Sequence, residues 1–168
     1  MPVDPHTPVI VGVGQFTERI EDPSYRGMSS VDLATAATRA ALADTGADVQ
    51  SVAQAIDTFV GLRQFEICTP FTKPPLGAAD NYLRSVAGRI GADPRRAVLE
   101  SLGGHGPQKL MTEFAGVIAN GDAEAVLILG SENGSTLRHF RNREDKPDHS
   151  EQIGGQLEDR GFGFEQYV

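Results

Sequence analysis

The residues best placed to do chemistry lie in two glycine-bearing turns. The first contains Gly103, Gly104, His105, Gly106, Pro107 and Gln108, and the second contains Gly130, Ser131, Glu132, Asn133, Gly134 and Ser135. In the first, three glycines strip Cβ atoms from the backbone just ahead of an expected helix. The first amides of that helix have no internal partners and carry the positive end of its dipole. A carbonyl oxygen, a thiolate or a phosphate is the kind of group that such a spot accepts. His105 adds an imidazole that could serve as a base, although a turn histidine more commonly makes a local hydrogen bond. The second turn offers a carboxylate and a carboxamide, Glu132 and Asn133, at the carboxyl end of an expected strand, the edge where open α/β sheets bind ligands. Both turns also have a purely structural reading, as sharp corners that pack helix on sheet.

These turns need a scaffold, and the surrounding sequence supplies one. Ala97, Val98 and Leu99 form a short apolar strand before the first turn. After it, Leu110, Met111, Phe114, Ala115 and Ile118 recur at helical spacing, with Pro107 near the helix start and Gly121 just beyond its end. A second strand over 124–129 completes a unit of βαβ size, whose crossover is expected to be right-handed. Upstream, the apolar run 8–14 has the pattern of a strand buried on both faces. Its Gly12-Val13-Gly14 ending invites a dinucleotide-binding reading, but the third glycine of that fingerprint falls at Thr17 and no helix follows directly. Ser29 and Asp32 stand at capping-box spacing and open an alanine-rich helix that runs to Gly46. A strand over 56–62 follows, and then a long loop over 63–79 with Pro70, Pro74 and Pro75. Asp80 is expected to cap a helix whose apolar face is Tyr82, Leu83, Val86, Ala87 and Ile90, closed by Gly91.

Composition narrows the classes of function. The 168 residues carry a net charge of -8, which argues against a nucleic-acid surface, since phosphate neutralisation needs a basic patch. No apolar run approaches the length of a spanning helix and no signal-peptide pattern opens the chain, so a cytoplasmic protein without membrane association is expected. The one cysteine, Cys68, excludes an internal disulfide and a cysteine-rich zinc site, and it has no cationic sequence neighbour to activate it as a nucleophile. Four scattered histidines show no metal-ligand spacing, so neither a metal nor a resident cofactor is expected.

The order strand, helix, strand, loop, helix, strand, glycine turn, helix, strand resembles the first half of a thiolase. Several stretches match in detail: the opening run at 8–14, the Asp32-Leu33-Ala34 helix, the Ala55-Ile56-Asp57 strand, and a Gly-x-Glu-x-x-Ser turn reproduced by Gly130, Glu132 and Ser135. The resemblance covers residues 8 to about 135. It also exposes a departure. The thiolase nucleophile opens the central helix in a Cys-x-Ser-Gly-x-Gln-like pattern; aligned on Gly106 and Gln108, the cysteine position is Gly103 and the serine position is His105. This Gly-Gly-His-Gly-Pro-Gln version is similar to bacterial acetyl-CoA acetyltransferase-like proteins in which a glycine also replaces the cysteine.

The resemblance implies a three-layer α/β/α domain over 1–136, with a mostly parallel sheet and an incomplete edge, followed by a weakly structured loop insertion or tail over 137–168. It implies a coenzyme A thioester as substrate or ligand, held by Gly103, Gly104, His105, Gly106, Gln108, Glu132, Asn133 and Ser135. Without the nucleophile, covalent acyl transfer by the isolated chain is not expected. Alternatives are a non-catalytic module that binds acyl-CoA or a partner, and an unrelated doubly wound nucleotide-binding domain. The family pairs through the strand equivalent to 97–100, so a homodimer or a completing partner chain is a further expectation. Independently of the resemblance, Phe162, Phe164 and Tyr167 near the end need something to pack against and are expected to form a strip that docks on the main domain.

Overall fold

The computed structural model describes residues 4, 6–71 and 73–162. Phe164 and Tyr167 lie outside the described residues. The elements in chain order are α1 (Ser30–Asp44), α2 (Val49–Ala55), β1 (Thr58–Leu62), a 3₁₀ turn (Phe65–Ile67), α3 (Tyr82–Ile90), β2 (Arg96–Glu100), α4 (Gly106–Ala119), β3 (Val126–Leu129), α5 (Gly134–Phe140) and β4 (Glu158–Asp159). The strands form one parallel sheet in the order β3-β1-β2-β4, with β1 in register against both β2 and β3.

Period-two alternation sends each strand's side chains to two different helical layers. Phe59, Ala97, Leu99 and Leu129 pack with Val31, Ala34, Leu83, Val86 and Ile90 of α1 and α3. Val60 and Val98 point the other way, onto Leu110 and Phe114 of α4. The result is the α/β/α sandwich expected from the sequence. Local signals act as anticipated at several ends. Ser29 and Asp32 form a reciprocal capping box on α1, and Gly91 and Gly121 take positive φ (74° and 77°) where α3 and α4 stop. Asp80, however, does not cap α3. Asn81 does, accepting the Arg84 amide, while the Asp80 carboxylate accepts amides of Ile153 and Gly154 from the tail.

The largest correction concerns residues 8–14, which form no strand. Val9, Ile10, Val11 and Val13 are 66–70% exposed. The segment lies along α1, where Gly12 and Gly14 press on the backbone of Ala41 and Ala37, and the Val13 amide donates to Asp44 Oδ2 at 2.9 Å. β1 hydrogen-bonds directly to β2 on one side and β3 on the other, so 8–14 has no place beside β1, and it packs on α1 instead of adding to the outer edge of β3. An apolar cavity of about 590 Å³ separates 8–14 from β3, walled by the alanine face of α1 and by Met111, Phe114, Ala115 and Ile118 of α4. Met111, expected in the core, is 40% exposed at its rim.

Beyond α5 the described residues carry little regular structure but are tied down along α3 and β2. The Glu151 amide donates to the Ala78 carbonyl, and the Glu151 carboxylate takes Arg89 at 2.5 Å. Asn81 Nδ2 donates to the Gly154 carbonyl at 2.9 Å. β4 then runs beside Val98 and Leu99, so the edge anticipated for pairing with a second copy is lined by this chain's own residues. Arg63 reaches from the end of β1 to pair with Asp159, and its guanidinium lies 4.4 Å from the centroid of the Phe162 ring.

Candidate functional site at the carboxyl edge of the sheet

Parallel strands bring all their carboxyl ends to one edge, so the glycine turn after β2 and the polar turn after β3 emerge together there. β1 ends between them. Its Leu62 side chain touches both, closing on the α-carbon of Gly106 so tightly that a Cβ there would collide, and lying 3.7 Å from a Cβ built at Gly130. The sequence therefore folds the two candidate turns onto opposite flanks of one leucine.

In the first turn, α4 begins at Gly106 with Pro107 second, and His105 occupies the N-cap without a side-chain bond to the helix. The Gly106 amide donates to the Gly103 carbonyl at 2.9 Å, Pro107 has no amide hydrogen and Lys109 donates to the His105 carbonyl at 3.0 Å, so of the first-turn amides it is that of Gln108 that is left to a ligand or solvent. Gly103 is half-buried, while Gly104, His105 and Gln108 are exposed. The His105 ring lies over Gly103: a Cβ at 103 would stand 2.9 Å from Cε1 and 3.1 Å from Nδ1. Gln108 turns along its own helix to Thr112 Oγ1 at 3.3 Å.

In the second turn the polar residues are more committed to the fold. Glu132 Oε1 accepts the Phe65 amide at 2.9 Å and so staples the β3 turn to the loop after β1. Burial and the nearby Glu66 push its carboxyl up from the ordinary value, with the Phe65 amide opposing them. Asn133 is 3% exposed, and neither atom of its carboxamide has a hydrogen-bond partner among the described residues. Ser135 is exposed at the start of α5.

Several participants are not legible from sequence spacing. Ser131 Oγ donates to the Ser30 carbonyl at 2.7 Å and accepts from the Tyr82 phenol at 2.9 Å, while Ser30 Oγ donates to Glu66 Oε1 at 2.6 Å. Burial drives the Tyr82 phenol far above its ordinary range, so it stays a donor. Gln64 is 2% exposed with both amide atoms unpaired among the described residues. These groups come from four separate elements, and only the fold makes them neighbours. Cys68 sits half-buried in the loop after β1 as a free thiol.

No protein-family model matches the chain, and no curated protein matches it. Among solved structures it is similar to a monomeric SCP2-thiolase like protein type 1 from Mycobacterium smegmatis, at 56% identity and a TM-score of 0.65, over 80% of this chain and 25% of that one. The fold is thiolase-like. The chain spans about a quarter of that neighbour's length. In this fold the turn at 103–106 starts α4, and the backbone at 103 bears no side chain. At this turn the Gln108 amide can donate to an anionic or carbonyl oxygen. No helix among the described residues is long and apolar enough to cross a membrane.

Proposed function

We propose that this chain is the N-terminal part of a thiolase-like acetyl-CoA acetyltransferase homologue that holds an acyl-CoA thioester at the carboxyl edge of its sheet without forming an acyl-enzyme. The observation that carries this reading is Gly103, a glycine with the His105 ring over it at the start of α4, where nucleophilic catalysis would need a thiol. The Gln108 amide at the start of α4 would receive the thioester carbonyl, and Asn133, buried with an unpaired carboxamide, would complete the site from the facing turn. Supporting it are the resemblance of the two turns to thiolase motifs and the similarity to an SCP2-thiolase-like structure.

Calorimetric titration of acetyl-CoA into the chain, with Gly103→Trp as a blocked-site control, tests the reading. Binding that the tryptophan abolishes is the expected result. No binding to either form, or equal binding to both, refutes a ligand site at this turn. A Gly103→Cys variant separates binding from chemistry: stable labelling by acetyl-CoA in that variant and none in the parent is expected if the missing thiol is what stops acyl transfer.

A second reading, a homodimer, draws on one feature: the outer edge of β3 has no strand partner among the described residues and faces the exposed apolar run 8–14. Light scattering decides it, because a monomer that persists as concentration rises excludes pairing along that edge.

A further inference from the structure

Glu100, the last residue of β2, is 2% exposed, and its carboxylate is fully used. Oε1 accepts both the amide and the hydroxyl of Ser101 at 3.0 Å. Oε2 accepts Lys109 Nζ at 2.9 Å and Arg160 Nη1 at 3.0 Å. Ser101 enters the glycine turn and Lys109 stands in the first turn of α4, so one carboxylate grips both sides of residues 103–106. Arg160 arrives from the far end of the chain. Its amide donates to the Leu99 carbonyl at 3.0 Å, and its guanidinium meets both oxygens of Glu113 on α4 at 2.8 and 2.6 Å and Glu158 at 3.2 Å. A planar guanidinium with five donors can bridge a strand end and a helix in this way, where an ammonium could not.

The two cations on Glu100 are unequal. The Lys109 side chain is 48% exposed and screened by solvent, whereas that of Arg160 is 20% exposed. Arg160 therefore decides whether the buried carboxylate stays where it can hold Ser101. Losing it would leave Glu100 with one wet partner and a reason to turn outward, taking the Ser101 amide with it.

We propose that Arg160 is a positioning residue for the turn at 103–106: acting through Glu100, it couples docking of the 158–162 segment to the geometry of the candidate thioester site. What the turn binds rests on the reading above, but the coupling is measured on the free protein. By reciprocity, a ligand that fixes the turn also favours the docked tail.

Hydrogen exchange by mass spectrometry on the full chain without ligand, comparing the parent with Arg160→Gln, Arg160→Lys and Arg96→Gln, tests it. Arg96 pairs with Glu158 at 2.8 Å, so its loss loosens β4 without touching Glu100. Arg160→Gln is expected to speed exchange at 101–106 by about ten- to a hundredfold, the range for losing a charge-assisted hydrogen bond. Arg160→Lys should restore part of the protection, and Arg96→Gln, which weakens β4 but leaves Arg160 on Glu100, should act mainly at 157–160 with a smaller effect at 101–106. A carboxyl-carbon NMR titration adds a readout that loosened packing alone would not move. The groups facing Glu100 are Lys109, Arg160, Ser101, Glu113 and Glu158, and with Arg160 gone its midpoint should rise above about 2. Unchanged exchange at 101–106 in Arg160→Gln, or equal acceleration in Arg96→Gln, overturns the coupling. If Arg160→Gln does not fold, Arg160→Lys carries the test with the same selective pattern at smaller amplitude. Absence of acetyl-CoA binding by the parent would refute the proposed function and leave the coupling standing.

Discussion

Replacing Glu100 with glutamine is the most quantitative perturbation that the structure offers. Burial pushes this carboxyl up, but hydrogen bonds from Lys109, Arg160 and Ser101 outweigh it and bring the group from an ordinary 4.5 down to about 2. A folded-state pKa below the unfolded one contributes stability that is complete above the unfolded value and is lost as pH falls through the folded value. At about 1.4 kcal/mol per unit, the ionised carboxylate contributes on the order of 3 kcal/mol at neutral pH, with roughly 1.5 kcal/mol left at pH 3 and little below pH 2. Glutamine keeps the shape and removes the charge. Urea unfolding of the parent and Glu100→Gln from pH 7 to pH 2.5 should therefore show the largest gap at pH 7, about 2–3 kcal/mol, closing steadily below pH 4.5. A gap that stays constant with pH would mean that the variant acts through packing, and no gap at pH 7 would mean that the network around Glu100 is not formed in solution.

Glu132 should behave with the opposite sign. Its carboxyl is raised by burial and by Glu66, so the stability associated with it is complete below the ordinary value near 4.5 and falls as pH rises through the folded value. Glu132→Gln, which keeps an oxygen for the Phe65 amide, should raise the urea midpoint at pH 7 and match the parent at pH 4; a variant that is less stable at pH 7 contradicts this. Val11→Lys tests the placement of 8–14: at 67% exposure the change should fall within about 0.5 kcal/mol in chemical unfolding, whereas a buried strand would lose several kcal/mol. Phe114 is 1% exposed, with the Arg96 and Arg160 guanidinium groups 5.5 and 5.9 Å from its ring centroid, and it also walls the 590 Å³ cavity. Phe114→Ala should cost about 3–5 kcal/mol by thermal or urea melting, and a loss under about 1 kcal/mol would show that α4 is not packed as described.

What the residues themselves dictate is local. Ser29 with Asp32 must cap a helix, Gly91 and Gly121 must end two, and the apolar periods around 97–99, 110–118 and 126–129 must make strand, helix and strand, because these depend on contacts within a few residues. From that pattern a parallel sheet with its turns at one edge follows, and the two glycine turns do lie there. The role of residues 8–14 does not follow. A run of Val and Ile is compatible with burial anywhere, and its exclusion from a place beside β1 is decided by β1 pairing with β3, a choice made between segments 68 residues apart. The same holds for Asp80, drawn from a helix cap to the tail amides, and for Glu132, spent on the Phe65 amide. The grip of Arg160 on Glu100 joins positions 60 residues apart with no shared motif. Short-range hydrogen bonding and periodicity can be read along a chain, but burial, charge pairing and the filling of a sheet edge are set by which distant segments meet, and only the folded protein decides that.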